Sequence, residues 1–254
     1  MLNIRKFSSK SSIRSGNSSR IMHLTLVITL ILCMVPFSSI QAAPTGNEIV
    51  NYVINKFNTF NTVQARVMIQ YWDEAGKALR TSNMNFDLTV DLKNLCMRLQ
   101  FVSGTYEDFI ITADYKENTG SYYMPVMDAY YTGNLEKLIK ELDSVFATGL
   151  NLASFSPEQF LGISTEDLTS ARYLRTEPLD RIPHYVVEAR YRNSDQWAHF
   201  WVDAETNLVS KSIMYHANGR PQAQIDISNF RYNMSISKAT ILAMPRGAKA
   251  RNLK

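Results

Sequence analysis

The feature that most constrains this chain is a change of hydrophobic period near residue 62. Before it, Ile49, Val50, Val53, Ile54, Phe57 and Phe60 recur at helical spacing, with Asn47 as the expected cap. After it the period becomes two. Val63, Ala65, Val67, Ile69 and Tyr71 alternate with Gln64, Arg66, Met68 and Gln70. The same alternation returns in Met84, Phe86, Leu88 and Val90, and again in Leu95, Met97, Leu99 and Phe101. Two further strands are expected at about 108–115 and 121–125, joined by Glu117-Asn118-Thr119-Gly120. Strands linked by turns this short make an antiparallel meander.

The pattern breaks at about 130–168. Asn134 should cap a helix whose stripe is Leu135, Leu138, Ile139, Leu142, Val145 and Phe146, ended by Gly149. Ser156-Pro157-Glu158-Gln159 reads as a capping box opening a short second helix that stops near Gly162. Strands then resume at about 184–192, 196–203, 208–216 and 221–230. The last two are joined at Asn218-Gly219, a strong hairpin signal. The tail from Ala239 could add a final strand before Pro245-Arg246-Gly247. The expected fold class is therefore mainly β with helices (α+β). The economical architecture is a curved antiparallel sheet forming a half-open, incomplete barrel, lidded by the N-terminal helix and the mid-sheet helical insert.

The start of the chain differs in charge from its body. Residues 1–42 hold five of the 27 Lys and Arg and no Asp or Glu, which leaves 22 basic against 23 acidic residues beyond them. The pI near 9.0 thus belongs to the leader. Bulk charge gives no sign of a nucleic-acid footprint. The basic start, the apolar run Ile21 to Phe37 and the small residues around Ala42 and Ala43 read as a cleaved secretory signal peptide, residues 1–42. A single domain is expected over 43–254. The alternative is an uncleaved membrane tether, since the run approaches spanning length. Translation could begin at Met1 or Met22. Beyond the leader only Cys96 remains, in an apolar run, and it is expected to be a buried inert thiol.

Chemistry-bearing motifs are missing from the sequence. There is no nucleophile elbow, phosphate loop, zinc-protease helix or paired-cysteine motif. His184, His199 and His216 lack ligand spacing and are expected at the surface or rim. Asp108, Asp114 and Asp203 fit turn and cap roles, and Asn233-Met234-Ser235 fits a glycosylation sequon. No catalytic residue, metal or cofactor is assigned. What stands out is apolar and soft. Eight Met follow the leader, and Met84, Phe86, Met97 and Phe101 fall on the apolar phase of strands, which suits either solid core or a cavity for flexible apolar ligands.

The order of elements, together with local phrases, resembles the LolA-type outer-membrane lipoprotein carrier superfamily. Phe57-Asn58-Thr59-Phe60-Asn61-Thr62-Val63-Gln64-Ala65 is similar to its helix-to-strand passage. Phe200-Trp201-Val202-Asp203, followed by Thr206-Asn207-Leu208-Val209-Ser210-Lys211, is similar to a strand pair of the family. Ile225-Asp226-Ile227-Ser228-Asn229-Phe230 and Met244-Pro245-Arg246-Gly247-Ala248 are similar to its closing segments. The resemblance spans roughly 47–249.

It implies a periplasmic carrier without catalysis, holding the acyl chains of a lipoprotein or lipid and moving them from an inner-membrane exporter to an outer-membrane acceptor. Val67, Ile69, Met84, Phe86, Leu88, Met97, Leu99, Phe101 and Ile111 would line the cavity, with Leu138, Leu142 and Phe146 on the lid. One departure is that Leu92-Lys93 stands where such carriers have an Arg-Pro step. Lysine keeps the charge but not the planar fork. The same superfamily includes RseB-type envelope sensors that bind a protein partner, which is the alternative reading.

Overall fold

A computed structural model describes residues 43–79, 83–146, 167–192 and 194–253. Helix α1 (Gly46–Phe57) opens this part of the chain. Strands follow at Thr62–Tyr71 (β1), Met84–Asp91 (β2), Cys96–Ser103 (β3), Ile110–Asp114 (β4), Thr119–Met124 (β5) and Ala129–Asn134 (β6). Helix α2 (Leu135–Phe146) comes next. Then come Leu168–Leu179 (β7), Ile182–Tyr191 (β8), Trp197–Asp203 (β9), Val209–Tyr215 (β10) and Pro221–Tyr232 (β11). A short helix α3 (Lys238–Leu242) and strand β12 (Lys249–Asn252) complete the described elements.

All twelve strands lie in one sheet of order β12-β6-β5-β4-β3-β2-β1-β11-β10-β9-β8-β7. It is not closed, because β12 and β7 remain edges. Two antiparallel meanders, β1 to β6 and β7 to β11, are joined where β1 pairs with β11, and β12 adds to β6 in parallel. The half-open sheet with an N-terminal and a mid-sheet helix is the architecture the periodicities predict.

Five local expectations need correction, the first being Leu95, which the alternation put on the inward face of the third strand and which lies exposed in the β2–β3 turn at φ +52. The cap of α1 is Thr45, not Asn47, because Thr45 and Glu48 form the reciprocal box: the Thr45 hydroxyl accepts from the Glu48 N–H, and Glu48 Oε2 accepts from the Thr45 N–H at 2.7 Å. β6 extends the first meander by one strand; its residues Tyr130, Tyr131 and Thr132 are all half-buried and show no clean alternation. β7 went unpredicted altogether. It is an edge strand with a mostly exposed face, and two register shifts against β8 break its period. The tail folds as α3, capped by Ser237, and the last strand follows Pro245-Arg246-Gly247 rather than preceding it.

Other signals act as read. The Asn134 side chain accepts from the Lys137 N–H at 3.0 Å and caps α2. Between β10 and β11, Gly219 takes φ +80 and the Asn218 side chain accepts from the Arg220 N–H at 2.9 Å. The second short helix expected at 156–162, Gly149 and the leader lie outside the described residues.

Both helices lie over the inner face, one near each end of the sheet. α1 packs chiefly on β7 and β8, and α2 on β5 and β6. Each sits where the sheet is short of side chain. Gly46 meets the Ala171 backbone so closely that a Cβ would collide with it. Ala171 faces Ala189 in the register, and Ala189 faces Ala198. At the other end Ala113 faces Gly120 and Gly120 faces Gly133, and a Cβ on Gly120 would strike Leu138. Small residues on strands thus decide where helices dock.

Candidate functional site

The sheet presents its apolar phase to the side that carries α1 and α2. Direct pairing lines the side chains up in rows. Ile69 faces Met84, and Val67 faces Phe86, which faces Phe101. The next row runs Ala65, Leu88, Leu99, Ile111, Tyr122 and Tyr131 across six strands. Val90, Met97 and Ala113 follow. The other half continues the surface, with Ile227 facing Val67, Ile225 facing Ile69, and Phe200 facing Val187.

The structure brings all nine predicted inner-face residues together. Val67, Ile69, Met84, Phe86, Leu88, Met97, Leu99, Phe101 and Ile111 belong to one buried cluster, none more than 8% exposed. Leu138 and Leu142 of α2 join the same cluster. Phe146 ends α2, and its side chain lies outside the described atoms.

Sequence reasoning missed an aromatic chain that runs through this cluster. Phe86 meets Phe101 at 5.4 Å between ring centres, and Phe101 meets Phe109 edge-on. Phe109 stacks on Tyr122 at 5.6 Å, and Tyr122 on Tyr131 at 5.0 Å. Only Phe86 and Phe101 were legible in advance, as apolar-phase aromatics. Phe109 precedes its strand, and the tyrosines carry a polar atom that masks their phase. Burial pushes the phenols of Tyr115 and Tyr122 up to about 12, with Glu141 adding to Tyr122. These rings stay neutral and act as apolar walls with a polar tip.

Polar residues that could have carried chemistry are held in structural roles. Cys96 is fully buried, and burial, with Asp91 and Asp114 nearby, pushes its thiol up to about 11. Asp114 is buried and holds Lys238 of α3 at 2.6 Å. Burial alone would raise the carboxyl of Asp203, but the N–H groups of Thr206 and Glu205 outweigh it and hold it below the ordinary range. Asp108 occupies a turn at φ +61. Among the described residues no three His, Cys, Asp or Glu side chains converge as metal ligands.

His184 corrects the surface reading. It is 2% exposed, with one ring nitrogen at the Ile182 carbonyl and the other at the Ser210 hydroxyl. A buried imidazole is tolerated there because both nitrogens are satisfied. His199 is half-buried between Trp197 and Tyr215, and burial pushes its pKa down against the pull of Glu188. Both polar atoms of Asn233 are engaged, with the Asn61 N–H and the Thr59 carbonyl, so the sequon acts as a tether between chain segments. Lys93 lies exposed in the β2–β3 turn, while Leu92 packs against the core.

No family profile matches the chain, and no curated protein matches it in sequence. Solved structures do match in shape. An uncharacterized conserved protein from Thermus thermophilus overlays with a TM-score of 0.51 at 10% identity, over 81% of this chain and 98% of that one. MucB of Pseudomonas aeruginosa, solved with MucA, overlays at 0.47 and 13% identity, over 78% of this chain and 61% of MucB. A LolA superfamily protein from Nitrosomonas europaea gives 0.33 and 13%, over 78% and 98%. The order of elements on which the LolA-type resemblance was read, helix, meander, helical insert and closing meander, is the order the structure has.

Proposed function

We propose that the chain is an exported, non-catalytic carrier that holds acyl chains against the inner face of the sheet, between α1 and α2. The supporting observation is the continuity of that face. Rows of directly paired apolar residues cross the sheet, while the two helices pack chiefly on its outer strands. An acyl chain is flexible and apolar. Each methylene buried there contributes about 0.8 kcal/mol, so a chain of ordinary length would be held firmly without any polar anchor. Release follows if a downstream acceptor offers a better apolar site, or if a helix moves and reduces the buried area. In this reading residues 1–42 are the cleaved leader and the periplasm is the site of action. The donors and acceptors are membrane proteins that handle lipoproteins.

The test is to export the full precursor in a diderm bacterium and weigh the soluble product, native and denatured. The expected outcome is a chain starting at Ala43 with a non-covalent acylated adduct that is lost on denaturation. Leu99→Glu, placed mid-row, should remove the adduct in a protein that keeps its circular dichroism spectrum. A folded variant that still loads normally would rule out the inner face. A correctly cleaved chain that is always empty and is recovered with a signalling partner would favour the envelope-sensor reading. A mass that retains residues 1–42 would rule out a freely diffusing shuttle.

A further inference from the structure

The opposite face of the sheet carries a cavity of about 550 Å³. Side chains alternate across a strand, so the sheet itself separates this cavity from the apolar rows. Its floor is polar and is laid down by strand register. Gln64, Thr89 and Arg98 face one another across β1, β2 and β3, and Asp87 and Gln100 form the next row. Its wall is apolar, made by Ile236, Ile241, Met244 and Pro245 from α3 and its flanks. That wall is fixed in place. Ser237 caps α3, and Lys238 reaches the buried Asp114 on β4.

The charges on the floor are not balanced in the same way. Arg66 and Asp87 satisfy each other through two bonds, at 2.7 and 2.9 Å. Arg98 has no such partner. It donates to the Ala243 carbonyl and to Gln100 Oε1, and no carboxylate among the described residues lies within ion-pair distance of it. A guanidinium has five N–H donors, so three remain for a ligand. A half-buried cation without a counter-ion has lost hydration and received no charge in return.

We propose that this outer-face cavity binds a monoanionic amphiphile, a carboxylate on a short apolar chain, with the carboxylate on Arg98 and the chain against Ile236, Ile241 and Met244. The planar fork of arginine suits the two oxygens of a carboxylate. With Asp87 neutralised by Arg66, Arg98 leaves one positive charge on the floor, which a single carboxylate balances and a phosphate dianion exceeds. The site is independent of the inner-face reading and stands or falls separately.

Decanoate is the probe, with decan-1-ol and inorganic phosphate as controls. Titration of the exported protein, followed by methyl resonances, should show a saturable transition at Ile236, Ile241 and Met244, separate from any at inner-face methyls such as Leu88 and Leu99. The alcohol and phosphate should each bind at least tenfold more weakly. Arg98→Gln should weaken decanoate at least tenfold. Thr240→Trp narrows the cavity without touching Arg98 and should do the same, which keeps the test decisive if Arg98→Gln loosens α3. Shifts confined to inner-face methyls such as Leu88 and Leu99 would overturn the proposal and leave the inner-face reading untouched. It would equally be overturned if, at the outer-face methyls, the alcohol bound as tightly as the acid, phosphate displaced decanoate, or a folded Thr240→Trp left the affinity unchanged.

Discussion

Cys96 shows how much a single residue discloses before its surroundings are known. Its apolar neighbours marked it as a buried thiol, and it is fully buried. What surrounds it was only partly legible, because Asp91 is close in sequence but the α3 segment with Lys238 comes from a distant part of the chain. Burial and two carboxylates disfavour the thiolate and push the folded thiol up to about 11. Native Cys96 should therefore resist iodoacetamide at pH 8, reacting at least about 100-fold more slowly than in urea. The linkage has a definite sign. Between about pH 9 and 11 the unfolded thiol has lost its proton while the folded one keeps it, so stability falls as pH rises through that window. Cys96→Ala should flatten this alkaline loss in urea titrations, and an unchanged slope would contradict the assigned pKa. His184 marks the opposite case, where a residue type usually found at the rim is buried because Ile182 and Ser210 happen to meet both its nitrogens.

At the scale of elements, legibility followed burial. β1 to β3 turn one face to the core and write a period of two into the sequence, while β4 is buried on both faces and was legible from the turns at its ends. β7 turns little of itself inward and slips register twice, so it leaves no such trace. Helix positions were legible only as stripes. What the helices rest on was hidden in Gly120 and Ala171, since a small residue in a strand has no phase to read. The docking of α2 on Gly120 can be measured. Gly120→Val would press against Leu138, Leu135 and the Thr112 carbonyl, and overpacking of this kind costs about 1–3 kcal/mol. Gly219→Ala is the control, where a Cβ meets open space and only the φ of +80 is strained, at about 1–2 kcal/mol. Urea midpoints should rank Gly120→Val below Gly219→Ala. The reverse order would mean that α2 yields freely and is not seated on that strand.

The whole molecule is decided by one pairing that no local signal announces. β1 and β11 join the two meanders, yet about 150 residues separate them along the chain. Alternation told which residues face inward, so the candidate inner face could be read from sequence. It could not tell which strands are neighbours across that gap. The outer-face cavity was invisible for the same reason, since its floor comes from β1 to β3 and its wall from the tail. Closing so long a loop costs about 3 kcal/mol more than closing a hairpin of a few residues. Every other antiparallel neighbour pair is local in sequence. The hairpins should therefore form first and the β1–β11 seam last, with slow overall folding typical of non-local sheets. Pulsed hydrogen exchange during refolding would follow this directly. Amides in β2 to β5 and β8 to β10 should gain protection before those that Met68 and Gln70 pair with Asp226 and Gln224 across the seam. If the seam is protected as early as the hairpins, the meanders are not independent folding units. The inner-face rows would then assemble in one step, around the β1–β11 seam.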